Sequence, residues 1–166
     1  MTQVAWLMGS DSDYPKLEKG FQTLNELGIS VEGRVLSAHR TPEQTREFVT
    51  QSEAGGVKIF ICAAGMAAHL AGAVAAHSSR PVIGIPVAAG ALNGLDALLS
   101  TVQMPPGVPV ATVGIDGSVN AAVLAAQILG TGDESIAKKV IEWRTAQTAK
   151  VVEKDKRLQQ KLQGNG

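Results

Sequence analysis

Ile59-Phe60-Ile61-Cys62-Ala63-Ala64 is an apolar run with no polar interruption. A strand with one wet face alternates polar and apolar residues, so a short unbroken run between turn residues reads as a strand buried on both faces. Gly55-Gly56 precede the run and Gly65 follows it, and the strand is placed over Lys58 to Ala63. The same reading extends outward in both directions. Val4-Ala5-Trp6-Leu7-Met8 forms a first strand, Ile29 to Leu36 a second, Pro81 to Pro86 a fourth bounded by prolines, and Val108 to Val113 a fifth. Helical patterns fall between them: Tyr14 to Leu27 closed by Gly28, Pro42 to Ala54 ended by Gly55-Gly56, an alanine-rich Met66 to His77, Leu95 to Gln103, and Val119 to Leu129. Strand and helix in strict alternation predict an α/β fold, a three-layer sandwich whose mostly parallel central sheet is covered on both faces by helices.

At 166 residues and 17.2 kDa the chain fits one domain, 1–166, with a substantial core. Its 15 basic and 15 acidic residues leave a formal net charge of +0. Such a balance supplies no general field for nucleic acid or an anionic membrane, so an anionic ligand must be held by a local site. The single cysteine, Cys62, lies inside the buried run, forms no internal disulfide and packs as a small hydrophobe. Met1-Thr2-Gln3-Val4 carries no basic segment leading into a long apolar stretch, which disfavours secretion and membrane spanning. A cytoplasmic protein is the expectation.

In a parallel sheet the functional loops gather beyond the carboxyl ends of the strands. Four qualify: Gly9 to Asp13, Ser37 to Pro42, Ala64 to His69, and the segment after Val87. Ser37-Ala38-His39-Arg40-Thr41-Pro42 is the richest chemically. It sets an imidazole, which titrates near neutrality, beside a permanently charged guanidinium, a pairing suited to proton transfer next to a bound anion. The plain alternative is a strand-to-helix loop with Thr41 as cap, Pro42 as first helical residue and Arg40 in water. Gly9-Ser10-Asp11-Ser12-Asp13 can surround a phosphate with hydroxyls and amides. It lacks both a Walker ending and a Gly-x-Gly-x-x-Gly arrangement, which argues against ATP hydrolysis or a conventional dinucleotide site. Asp11 and Asp13 suit helix capping better than a metal. His39 and His69 can meet over one ligand if their parent strands are neighbours, and with no zinc spacing around them they suit proton handling. His77, ending a helix, has an ordinary capping use.

Alanine-rich segments around Ala63 to Ala76 and Ala121 to Ala126 permit close packing within a subunit or between sister subunits. From about 134 to 163 the chain reads as an amphipathic helix carrying Ile136, Val140, Trp143, Val151, Leu158 and Leu162 on one face. Its mixed charges suit packing on its own domain or on a neighbouring subunit better than nucleic acid. Gly164-Asn165-Gly166 should fray. The three prolines of Gln103 to Pro109 stiffen either a turn or a loop that closes over a pocket.

Five separated stretches carry a resemblance: Met8-Gly9-Ser10-Asp11-Ser12-Asp13, Ser37 to Pro42, Ala64-Gly65-Met66-Ala67-Ala68-His69-Leu70, Val102-Gln103-Met104-Pro105, and Asn120 to Gln127. Over about Val4 to Lys150 the sequence resembles the PurE family of N5-carboxyaminoimidazole ribonucleotide mutases. The resemblance implies a flavodoxin-like three-layer fold, a homo-octamer whose C-terminal helix packs on other subunits, and a place in de novo purine (IMP) biosynthesis. It implies substrate contacts from Ser10, Asp13 and Arg40 and an acid/base role for His39, with Ser12, Ser37, Gly65 and His69 as further pocket residues. Met66 stands where relatives commonly have glycine, and Ala71 where they commonly have proline.

The implied reaction moves a carboxyl group from nitrogen to ring carbon of a phosphorylated imidazole ribonucleotide, by confined decarboxylation and recarboxylation. It implies no metal, no cofactor and no covalent enzyme intermediate. Two alternatives remain: direct carboxylation of aminoimidazole ribonucleotide, a branch that usually has lysine at the position of Arg40, and a non-catalytic ribonucleotide-binding domain.

Overall fold

The computed structural model describes residues 2–164. Five parallel strands form one sheet: β1 (Val4–Met8), β2 (Val31–Val35), β3 (Ile59–Gly65), β4 (Val82–Val87) and β5 (Ala111–Thr112). Their spatial order is β2-β1-β3-β4-β5. β1 is therefore an interior strand paired on both sides, with Trp6 opposite Gly33 on one side and Ile61 on the other. Helices α1 (Tyr14–Glu26), α2 (Pro42–Ala54), α3 (Leu70–His77), α4 (Leu95–Val102), α5 (Ser118–Gly130) and α6 (Glu134–Gln163) supply the covering layers. No helix among the described residues is long and apolar enough to cross a membrane.

The period-2 geometry of the strands divides the core into two clusters. Val4, Trp6, Ile59, Ile61, Ile83 and Ile85 face α1, α5 and the start of α6, whereas Ala5, Leu7, Phe60, Cys62 and Val82 face α2 and α3. This is the three-layer sandwich, and the unbroken apolar text of β3 is its cause, since alternate residues serve opposite layers. Trp6 stacks on Phe21 of α1 with ring centroids 4.4 Å apart. Gly20 lets α1 approach α5: a Cβ there would come within 2.7 Å of the Ser118 carbonyl oxygen. The Ser118 hydroxyl in turn donates to the Lys16 carbonyl at 3.1 Å.

Several boundaries differ from the sequence reading. α3 begins at Leu70 and not at Met66, because Met66 has φ +56° and the Ala68 amide donates to its carbonyl at 2.9 Å, closing a tight turn before the helix. β5 shrinks from six residues to Ala111–Thr112, in a segment that Pro105, Pro106 and Pro109 deprive of amide donors. β2 is confined to Val31–Val35 and, unlike the buried β1, is largely exposed. α6 covers the expected 134–163, yet only Ile136 and Val140 along it are buried. Val151, Val152, Leu158 and Leu162 remain exposed. Of Gly164 to Gly166, expected to fray, Gly164 closes α6 with its amide donating to the Gln160 carbonyl at 3.0 Å, and Asn165 and Gly166 lie outside the described residues.

Candidate active site

The strand order reverses at β1: the chain passes first to β2 on one side and then to β3 on the other. At such a switch point the loops leaving neighbouring strands diverge and open a crevice. A cleft of ≈ 490 Å³ lies there. It takes Gly9, Ser10, Ser12 and Asp13 from the β1 loop, Ser37 to Arg40 from the β2 loop, Ala64 to Ala67, His69 and Leu70 from the β3 loop, and Ala89 after β4. All eight residues expected at the site, Ser10, Ser12, Asp13, Ser37, His39, Arg40, Gly65 and His69, line it.

Each loop is held by its own backbone. Ser10 is extended and caps the short 3₁₀ turn Asp11–Asp13, its hydroxyl accepting from the Ser12 amide at 3.3 Å and lying 2.8 Å from the Ser12 hydroxyl. Capping thus falls to Ser10, and Asp13 makes no side-chain cap to α1. Burial raises the Asp13 carboxyl above its ordinary value, against the opposing pull of the nearby Lys16 ammonium. In the second loop Thr41 does not cap α2 with its side chain, contrary to expectation. Its hydroxyl accepts from the Ser37 amide at 2.9 Å and donates to the Ser37 carbonyl at 3.1 Å, while the Ser37 hydroxyl accepts from the Arg40 amide at 3.2 Å. The loop closes on itself and projects His39 and Arg40, both exposed, into the cleft.

The two histidines meet, although not for the reason proposed from sequence. β2 and β3 are not neighbours, since β1 lies between them. The His39 and His69 rings nevertheless stand 5.4 Å apart, tilted by 51°, because both long loops reach over the short end of β1. His77 lies at the far end of α3 and lines no part of the cleft. The proline-rich segment stays outside as well: Gly107, Val108 and Pro109 border a separate hollow beside Ser78 to Val82. Met104 packs on α3, its sulfur 3.2 Å from where a Cβ on Gly72 would sit.

Sequence reading missed a clamp beneath the site. Lys16 donates to the Ala88 carbonyl and stands 3.8 Å from Asp116, whose carboxylate accepts from the Ala88 amide at 2.9 Å. It fixes the β4 loop, and with it Ala89, against α1. The only textual hint was an acid beside a glycine, Asp116-Gly117, after the last strand. Among the described residues no three His, Cys, Asp or Glu side chains cluster as a metal-ligating group.

Residues 3–150 match the family model described as AIR carboxylase. The chain belongs to this family, the PurE family. An N5-carboxyaminoimidazole ribonucleotide mutase of Methanocaldococcus jannaschii is 53% identical over 154 residues, covering 93% of this chain and 96% of the relative. The Thermotoga maritima protein of the same name is 48% identical over 160 residues, covering 96% and 94%. The crystal structure of Treponema denticola PurE superposes with a TM-score of 0.85 at 33% identity, covering 94% of this chain and 98% of that one. The PurE resemblance and the flavodoxin-like α/β architecture read from the sequence are thereby borne out.

Proposed function

We propose that this chain converts N5-carboxyaminoimidazole ribonucleotide into 4-carboxyaminoimidazole ribonucleotide in de novo purine biosynthesis. The observation that carries this reading is the convergence of His39, Arg40, Ser10 and Asp13 on one cleft, in a chain with mutase relatives 53% and 48% identical to it. Arg40 offers phosphate a planar fork of charged donors, Ser10 a hydroxyl and, with Ser12, a polar collar. Asp13 accepts from the ribose hydroxyls. Ser37, Gly65 and His69 complete the pocket, His69 facing the same ligand as His39.

The chemistry needs proton transfer and confinement. The carbamate N–C bond breaks, the nitrogen takes a proton and carbon dioxide is set free beside the ring. Carbon 4 then attacks carbon dioxide, and loss of its proton restores aromaticity. His39 shuttles both protons: its imidazolium donates and its neutral form accepts. The reacting centre is walled by Ala38, Ala64, Ala67, Leu70 and Ala89, apolar groups that disfavour water and the loss of carbon dioxide to hydration. No step calls for a metal, a cofactor or a covalent enzyme intermediate.

The working unit in this reading is one catalytic domain, 1–166, in a cytoplasmic homo-octamer without nucleic-acid or membrane partners. The apolar residues left exposed along the distal half of α6 support self-association. The test of the reaction is a substrate comparison on one preparation. Carbamate ribonucleotide should be turned over, and unmodified aminoimidazole ribonucleotide with bicarbonate and dissolved carbon dioxide should react far more slowly. Preference for the second pair would assign direct carboxylation instead.

A further inference from the structure

Met66, Asn93 and Asp116 are the described non-glycine residues with positive φ, and each lies in a loop beyond the carboxyl end of a strand. Asn and Asp tolerate this region better than other side chains, and Asp116 is further held by the Ala88 amide and Lys16. Met66 has no such compensation, yet sits at φ +56° with 58% of its surface exposed. Its backbone is held from two sides. The Ala68 amide donates to its carbonyl and also approaches the Ser100 hydroxyl at 3.1 Å, and Ser100 is anchored on α4 through the Asp96 carbonyl at 2.7 Å.

The left-handed backbone aims the side chain across the gap between two loops. Met66 lines the cleft and at the same time lies against Gly90, where an added Cβ would be 3.6 Å from its Cγ and 3.9 Å from its sulfur. Beside it a Cβ on Gly65 would meet the Ala89 methyl at 3.0 Å. The β3 and β4 loops therefore touch through glycines, and the thioether of Met66 fills the space that those glycines leave. An unbranched, polarizable chain suits such an irregular gap.

We propose that Met66 is a confinement residue, whose side chain closes the flank of the cleft between the β3 and β4 loops and retains carbon dioxide between its release and its capture by carbon 4. This rests on the mutase reading above. Two fates then compete after the N–C bond breaks. In transfer, the C–C bond forms and carbon 4 gives up its proton. In leakage, carbon dioxide leaves, hydrates in solvent to bicarbonate and a proton, and aminoimidazole ribonucleotide is released as an end product.

The experiment measures the ratio of aminoimidazole ribonucleotide to carboxylated product formed from the carbamate substrate, corrected for its uncatalysed breakdown, in the parent and in Met66→Gly, Met66→Ala and Met66→Leu. Loss of the side chain should raise the leak ratio about fivefold or more in both Gly and Ala variants, with KM held within about twofold, and Leu should restore most of the parental ratio. Gly relieves the positive φ and Ala does not, so a merely conformational role would separate those two variants. Parental ratios in both, or a leak in Ala that Gly abolishes, would overturn the proposal. A parent that forms no product from the carbamate would overturn the mutase reading instead, and with it the basis of this one.

Discussion

The cleft at the end of β1 and the distal half of α6 are built from the same chain on opposite terms. At the cleft the polar groups are satisfied inside the chain, within loops by Ser37 with Thr41 and Ser10 with Ser12, and between segments by Lys16 with Asp116 and Ala88. Beyond Trp143, α6 leaves Val151, Val152, Leu158 and Leu162 facing outward, 49–64% exposed. Helix propensity and backbone bonding maintain that helix, whereas its apolar face finds no partner within the subunit. The loops lining the cleft are thus bonded within one chain, and the apolar surface left without a partner lies elsewhere among the described residues. Independent damage to each region tests this division.

The largest effect should come from His39→Asn. Asparagine keeps a polar side chain on the self-closed loop but cannot cycle a proton, so carboxyl transfer should fall by about 10²–10⁴ while thermal unfolding and much of the ribonucleotide affinity persist. Direct ligand binding and product formation on the same sample check it, and near-parental turnover would remove His39 from the acid/base role. Next comes the opposite lesion, Val151→Lys with Leu158→Lys. Each apolar side chain buried between subunits contributes about 1.5–3 kcal/mol. The pair should therefore shrink the particle in sedimentation velocity at micromolar concentration, with helical circular dichroism retained. An unchanged sedimentation coefficient would place the assembly contacts elsewhere.

The smallest effect sharpens the picture within the cleft. Burial raises the Asp13 carboxyl above its ordinary value, so the folded state binds this proton more tightly than the unfolded chain does. Its favourable contribution is complete below the ordinary aspartate range and is lost as pH rises through the raised value, leaving a partly buried carboxylate that costs stability at neutral pH. Asp13→Asn should therefore raise Tm at pH 7 by on the order of 1–2 °C, with the gain fading in acid, and should weaken ribonucleotide binding. A lower Tm at pH 7 would show the carboxylate to be a net stabiliser.

Much of this was legible in the text of the sequence. β1 and β3 declare themselves because a strand buried on both faces has no polar residue to place. The loops that line the cleft could be named because strand ends and loop chemistry are local properties, whereas the roles of the eight residues within them came from the PurE resemblance. Spatial order is not local: nothing in the sequence of β2 states that β1 separates it from β3, which is why His39 and His69 were expected to meet only across neighbouring strands. The start of α3 was misplaced because alanines carry helix propensity without a boundary signal, and the positive φ of Met66 is set by the β4 loop and Ser100, far away in sequence. Met104 and the prolines read equally as a turn or as a loop that closes over a pocket for a related reason. Stiffness can be inferred from prolines, but direction cannot.

Cys62 gives the molecule a practical property. It is 1% exposed on β3, and burial drives its thiol far above the ordinary cysteine range, so thiolate is scarce and reagents cannot reach it. The native chain should accordingly be silent toward maleimides at neutral pH. A cysteine placed on the outer face of α6 would be its one addressable thiol, letting a single fluorophore report how the subunits come together without touching the loops around His39.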